Sequence, residues 1–130
     1  MDKITIIVPC YNEAEVIPRF YEAVTAATAA VEDCVFSYLF IDDGSRDHTL
    51  AEIRALAEAH TNVRYISFTR NFGKEPAMMA GLDYADGDAV ILMDADLQHP
   101  PALIPTMVAH WRAGYDDVCG KRTDRKDETF

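Results

Sequence analysis

Residues 92–101, "LMDADLQHPP", end an apolar run with two carboxylates, Asp94 and Asp96, followed by the amide of Gln98, then His99 and two prolines. In an extended segment, Asp94, Asp96 and Gln98 project from the same side. Hard oxygen ligands at that spacing suit Mg2+ or Mn2+, with water and phosphate oxygens filling the other positions. A nucleoside diphosphate could approach such carboxylates only with a divalent ion between them. His99 reads as a helix-entry residue rather than a ligand, because three oxygen donors already precede it. A D-x-D pattern is common by chance, so its weight depends on where the fold places it.

Three other segments carry groups of comparable chemistry. "PCYNEAE" offers Tyr11, an aromatic face that could stack on a base, with Asn12 and Glu13 as polar partners. The plainer reading makes Asn12 and Glu13 a helix cap and a favourable charge at its positive end. "IDDGSRDHT" sets Asp42 and Asp43 side by side, pointing in opposite directions, before a glycine turn. A turn and a cap need only one of them. Asp43 could accept a hydrogen bond from the imino N–H of a uracil or guanine. "TRNFGKEPA" brings the cations Arg70 and Lys74, which could neutralise a diphosphate or contact a base carbonyl. Their alternative is surface pairing worth about 0–1 kcal/mol. Cys10 reads as a small buried filler rather than a nucleophile.

These groups need elements that bring them together. Apolar runs at 4–9, 35–42, 62–69 and 89–94 read as strands. Between them lie amphipathic patterns at 13–31, with Asn12 as N-cap, at 48–60, capped by Asp47, and from Pro76 to Gly87. A fourth helix opens at Pro100 or Pro101 and ends at Gly114, and "DDVCGKR" offers a fifth strand. In the third strand Val63, Tyr65 and Ser67 alternate with Arg64, Ile66 and Phe68. The alternation predicts an α/β domain, a mostly parallel sheet with helices on both faces. Ligands of such sheets sit outside the carboxyl ends of the strands, where all four segments begin.

Composition narrows the functions. The chain has 130 residues and a net charge of −10, which argues against a broad nucleic-acid face. Three cysteines without a CxxC spacing argue against a disulfide framework or a zinc site and favour a reducing, cytoplasmic compartment. No run approaches the roughly 18 apolar residues of a membrane span. No glycine precedes Gly44, so neither a dinucleotide fingerprint nor a phosphate-cradling loop follows the first strand.

Taken together, "VPCYNEAEVI", "IDDGSRDHT", "RNFGKEPAMMAGLDYADGD" and "LMDADLQHPP" resemble the motifs of family 2 glycosyltransferases, in order and spacing, over nearly the whole chain. The branch they are most similar to transfers a sugar from a nucleotide to a polyprenyl phosphate, as dolichyl-phosphate mannose synthases and bactoprenol glucosyltransferases do. The resemblance implies a Rossmann-like GT-A fold, a UDP- or GDP-sugar donor, a divalent metal and inversion at the anomeric carbon. By position, Pro9, Tyr11, Asn12, Glu13 and Asp43 would line the nucleoside pocket with Asp42 beside them. Asp94, Asp96 and Gln98 would hold Mg2+ or Mn2+ and the diphosphate, with Asp96 foremost as direct ligand, and Arg70 and Lys74 would lie near the nucleotide.

Members of that branch continue well past this length, and "VCGKRTDRKDET" resembles only the start of their acceptor loop. Residues 1–130 are therefore expected to be the donor-binding part of a catalytic domain. The lipid phosphate acceptor would be engaged by the full-length enzyme at the cytoplasmic face of the membrane, and this chain alone would turn over poorly or not at all. An incomplete domain would expose apolar surface and favour a homo-oligomer. Three alternatives differ in kind. A phosphoreceiver domain would carry its acidic pair after the first strand and its phosphorylated Asp after the third. A nucleotidyltransferase would need a glycine-rich triphosphate loop. A non-catalytic module would bind nucleotide without chemistry.

Overall fold

The run Ile4-Thr5-Ile6-Ile7-Val8 is apolar on both sides of a strand, and such a strand must be covered on both faces. The computed structural model describes residues 1–98 and 100–114. It has the element order β1 (Asp2–Cys10), α1 (Ile17–Thr28), β2 (Cys34–Asp42), α2 (Thr49–Ala59), β3 (Val63–Ser67), α3 (Lys74–Tyr84), β4 (Ala89–Leu92) and α4 (Leu103–Arg112). The sheet is parallel, in the order β3-β2-β1-β4. The expected α/β architecture is the observed one. The order also separates this fold from a receiver domain, in which β3 rather than β4 lies beside β1.

The two faces have distinct cores. Ile4, Ile6, Val8, Tyr38 and Phe40 pack with Ile17, Phe20 and Val24 of α1, Ile53 of α2, and Ile104 and Val108 of α4. Each such side chain, fully buried, contributes about 1.5–3 kcal/mol relative to exposure. Phe20 meets Tyr38 and Phe40 edge-on, with ring centroids 6.5 and 6.0 Å apart. On the other face, Ile7, Leu39 and Ile41 pack against Ala77 of α3. Gly81 sits over Ile7, where a Cβ would overlap its Cγ2, so the glycine sets how closely α3 approaches β1.

Register places the functional loops on one edge. Cys10 pairs with Asp42 and Asp42 with Ser67, while Ile7 pairs with Leu92. The segments after all four strands therefore emerge together. At the opposite edge, Arg112 donates to Asp2 Oδ2 at 3.0 Å and to the carbonyls of Glu32 and Asp33 at 2.9 Å, fastening the end of α4 to the start of the sheet.

Several boundaries differ from the sequence expectation: α3 starts at Lys74 rather than Pro76, α4 at Leu103 rather than Pro100 or Pro101, and two further differences bear on the site. α1 begins at Ile17, with Pro18 in its first turn and no side-chain cap, so Asn12 is not its N-cap. Asn12 has φ +52°, and the N–H groups of residues 12–14 bond to another loop instead of opening a helix. The segment after β4 is also not extended. Leu97, at φ +59°, donates to the Asp94 carbonyl at 3.3 Å and closes a turn. On β3, Val63 is buried, while Ile66 and Phe68 pack on the α3 face. His99, Cys119 and the expected fifth strand lie outside the described residues.

Candidate functional site

The strand ends line an open cavity of about 450 Å³. Pro9, Cys10, Tyr11 and Glu13 line it from the end of β1, and Asp43 from the end of β2. Asn71, Gly73, Lys74 and Ala77 come from the β3–α3 side, and Asp94, Asp96 and Gln98 from the turn after β4. The cavity lies where β1 and β4 are neighbours and the strand order reverses, the place such sheets keep for ligands.

Its far wall is acidic with one internal cation. Lys74, in the first turn of α3, places Nζ 2.8 Å from Asp94 Oδ1. Asp94 is 20% exposed and Lys74 59%. Asp96 turns one oxygen back to accept the Gln98 N–H at 3.2 Å. Across from them, burial pushes the Glu13 carboxyl above its usual range. The Tyr11 N–H, donating to Glu13 Oε1 at 3.0 Å, opposes that rise; the charges of Asp96 and Asp94 add to it, and Lys74 offsets it in part. The cavity thus carries more carboxylate than its lysine neutralises.

Asp42 and Asp43 diverge, as adjacent strand residues must. The buried Asp42 accepts the Ser45 N–H at 3.2 Å and lies outside the cavity lining. Asp43, 4% exposed, accepts hydrogen bonds from Asn71 Nδ2 at 2.9 Å, from the Phe72 N–H at 2.8 Å and from the Gly73 N–H at 3.0 Å. One carboxylate therefore fixes the loop that carries Lys74. Gly44, at φ +68°, lies directly beneath that loop, and a Cβ there would overlap the Arg70 carbonyl carbon and the Asn71 nitrogen.

Of the residues singled out from sequence, Pro9, Tyr11, Glu13, Asp43, Lys74, Asp94, Asp96 and Gln98 converge on the cavity. Asn12, Asp42 and Arg70 do not line it. The Arg70 guanidinium sits over the Phe72 ring, 4.6 Å from its centroid. Cys10, Asn71, Gly73 and Ala77 were not foreseen as lining residues. Cys10 is a buried filler whose thiol burial pushes well above its usual value, with the charges of Glu13, Asp42 and Asp94 adding to the rise. Asn71 is an amide between Arg70 and Lys74 in sequence, and only its place in the segment after β3 could have marked it.

Among the described residues, no three His, Cys, Asp or Glu side chains form a ready-made metal cluster. That does not conflict with Mg2+ or Mn2+, because such ions use one or two carboxylates and take other oxygens from water and phosphates. Asp94, Asp96 and the Gln98 amide are a hard-oxygen set of that kind in one cavity.

A parallel sheet of this order with a cavity at its switch point is the arrangement of doubly wound α/β folds, and the solved structures that superpose on this chain are GT-A glycosyltransferases. Residues 5–130 match the family described as glycosyl transferase family 2, and the chain belongs to that family. It is 48% identical over 126 residues to the bactoprenol glucosyl transferase of Shigella phage SfV, an alignment spanning 97% of this chain and 41% of that protein. The prophage bactoprenol glucosyl transferase homolog of Escherichia coli K12 is likewise 48% identical, over 97% of this chain and 41% of its own length. The chain thus spans about two fifths of these curated relatives. Among solved structures, the mannosyltransferase PcManGT from Pyrobaculum calidifontis, in complex with GDP-Man and Mn2+, superposes with a TM-score of 0.73 at 27% identity, covering 93% of this chain and 36% of that one. The glucosyl-3-phosphoglycerate synthase of Mycobacterium tuberculosis bound to UDP gives a TM-score of 0.62 at 25% identity, covering 87% and 41%.

Proposed function

We propose that residues 1–130 form the donor-binding part of an inverting glycosyltransferase that moves a hexose from a UDP- or GDP-sugar to a polyprenyl phosphate. The observation that carries this reading is the cavity where Asp94, Asp96 and Gln98 face Tyr11 and Glu13 beside Lys74. The relatives named as bactoprenol glucosyl transferases support the lipid-linked acceptor. The complex of PcManGT with GDP-Man and Mn2+ supports a nucleotide-sugar donor and a divalent ion.

In this reading Tyr11 stacks on the base, and Pro9, Glu13 and Asp43 bound the nucleoside. Asp94, Asp96 and Gln98 would hold Mg2+ or Mn2+, which would supply positive charge to the leaving diphosphate. Lys74 adds a second positive charge beside it. The acceptor phosphate oxygen is already anionic, so the chain's contribution is to position the donor and neutralise charge rather than to remove a proton. The acceptor site belongs to the rest of the full-length enzyme, which would work at the cytoplasmic face of the membrane. Among the described residues no helix is long and apolar enough to cross one.

The test is a thermal melt with UDP, GDP, ADP and CDP, with and without Mn2+, on the wild type and on Asp94→Ala/Asp96→Ala. A ligand at 100 times its Kd adds about 2.7 kcal/mol, a shift of about 10 °C in a domain of this size. The expected result is a metal-dependent shift for one diphosphate that the double variant loses. A well-folded wild type that no diphosphate stabilises would overturn the reading.

A further inference from the structure

Two loops that are far apart in sequence are joined by side chains that do not enter the cavity. The N–H groups of three successive residues in the β1–α1 loop each donate to an oxygen of the β2–α2 segment. Asn12 donates to Ser45 Oγ at 2.9 Å, Glu13 to Thr49 Oγ1 at 2.7 Å and Ala14 to Asp47 Oδ2 at 3.3 Å. One bond runs the other way, from the Arg46 N–H to Asn12 Oδ1 at 2.8 Å. Thr49 is fully buried, and its own N–H donates to Asp47 Oδ1 at 2.9 Å, so two of the three acceptors hold each other. Asn12 adopts φ +52°, a conformation that asparagine tolerates better than most residues.

We infer that Asn12 and Thr49 are positioning residues for the donor site, acting through the β1–α1 backbone to aim Tyr11 and Glu13 at the bound nucleoside. The reasoning is geometric. Tyr11 and Glu13 flank Asn12 and line the cavity, whereas Asn12 and Thr49 do not. Glu13 is fixed at both ends: Thr49 holds its N–H, and its carboxylate accepts the Tyr11 N–H at 3.0 Å. That second bond ties the orientation of Tyr11 to the position of Glu13. A loop freed from the β2–α2 segment would have to be ordered by the ligand, and the cost of ordering would appear as weaker and less selective binding.

This inference rests on the donor-site reading above, and the experiment separates the two. Calorimetric titrations of UDP, GDP and CDP with Mn2+ are made on the wild type and on Asn12→Gly, Asn12→Asp, Thr49→Val and Thr49→Ser, each checked for folding by its melting temperature. Asn12→Gly keeps the backbone conformation but removes the acceptor, and as an exposed change it leaves the core intact. Loss of one such hydrogen bond corresponds to about a fivefold weakening. Asn12→Gly and Thr49→Val should therefore weaken the preferred diphosphate about fivefold or more and narrow its advantage over the others. Asn12→Asp and Thr49→Ser, which keep the acceptor oxygens, should stay within about twofold of wild type. Folded Asn12→Gly with unchanged affinity and selectivity overturns the positioning role alone. A wild type that binds none of the diphosphates overturns the donor-site reading and this role with it.

Discussion

Removing Lys74 should have opposite effects on the metal and on the nucleotide. Its Nζ lies 2.8 Å from Asp94 Oδ1, so in the free protein an ammonium group occupies the carboxylate assigned to the divalent ion. Lys74 is 59% exposed, which limits the pair to the weak, solvent-screened class of about 1 kcal/mol or less. In Lys74→Gln the ion no longer displaces that ammonium, and Mn2+ alone should bind up to about fivefold tighter. The nucleoside diphosphate loses a charged hydrogen-bond donor worth about 1.5–3 kcal/mol, so its affinity in the presence of Mn2+ should fall about 10- to 100-fold. Mn2+ binding can be followed by the loss of the free-ion electron paramagnetic resonance signal, and nucleotide binding by calorimetry at saturating Mn2+. If Lys74→Gln weakened Mn2+ binding without nucleotide, or left both affinities unchanged, the competition for Asp94 would be refuted.

Gly44→Ala should be disproportionately costly for a surface turn. Its φ of +68° alone carries about 1–2 kcal/mol for an L-residue, and the added Cβ overlaps backbone atoms of Arg70 and Asn71. The expected outcome is a melting temperature at least about 4–8 °C lower, together with lost diphosphate binding as the Lys74 loop is displaced from Asp43. Burial pushes the Tyr38 phenol up to about 12, with the Thr25 hydroxyl bond opposing. Its unfolded value is about 10, so the folded state prefers the protonated phenol. That contribution is fully present below about pH 10 and is lost as pH rises from there through about 12. Urea unfolding between pH 9 and 12 should show this decline, and Tyr38→Phe should remove most of it.

The parallel sheet was legible because Ile4–Val8 and residues 35–42 are apolar on both sides, which a half-exposed strand would not be. The convergence of Tyr11, Glu13, Asp43, Lys74 and Asp94 followed from the same pattern, since strand ends in a parallel sheet share an edge. The loops were less legible because their geometry depends on distant partners. Nothing near Asn12 in sequence shows that it bonds to Arg46, so its side chain read as a helix cap. Leu97 is neither glycine nor asparagine, so no local signal marks its left-handed turn. Asp43 and Arg70 read alike as ligand-binding candidates, yet Asp43 is fastened to the β3–α3 loop and Arg70 lies on Phe72.

The bonds between residues 12–14 and 45–49 also bear on how the site is assembled as the chain is made. Every group in that junction, and the whole β1–β2 pairing, lies within the first 49 residues. Synthesis proceeds from the N-terminus at about 5–20 residues per second. The half of the cavity around Tyr11 and Glu13 can therefore close seconds before Asp94 and Asp96 leave the ribosome. Until then β1 has an open edge on the side where β4 will add, and it is β4 that delivers the acidic turn to the site.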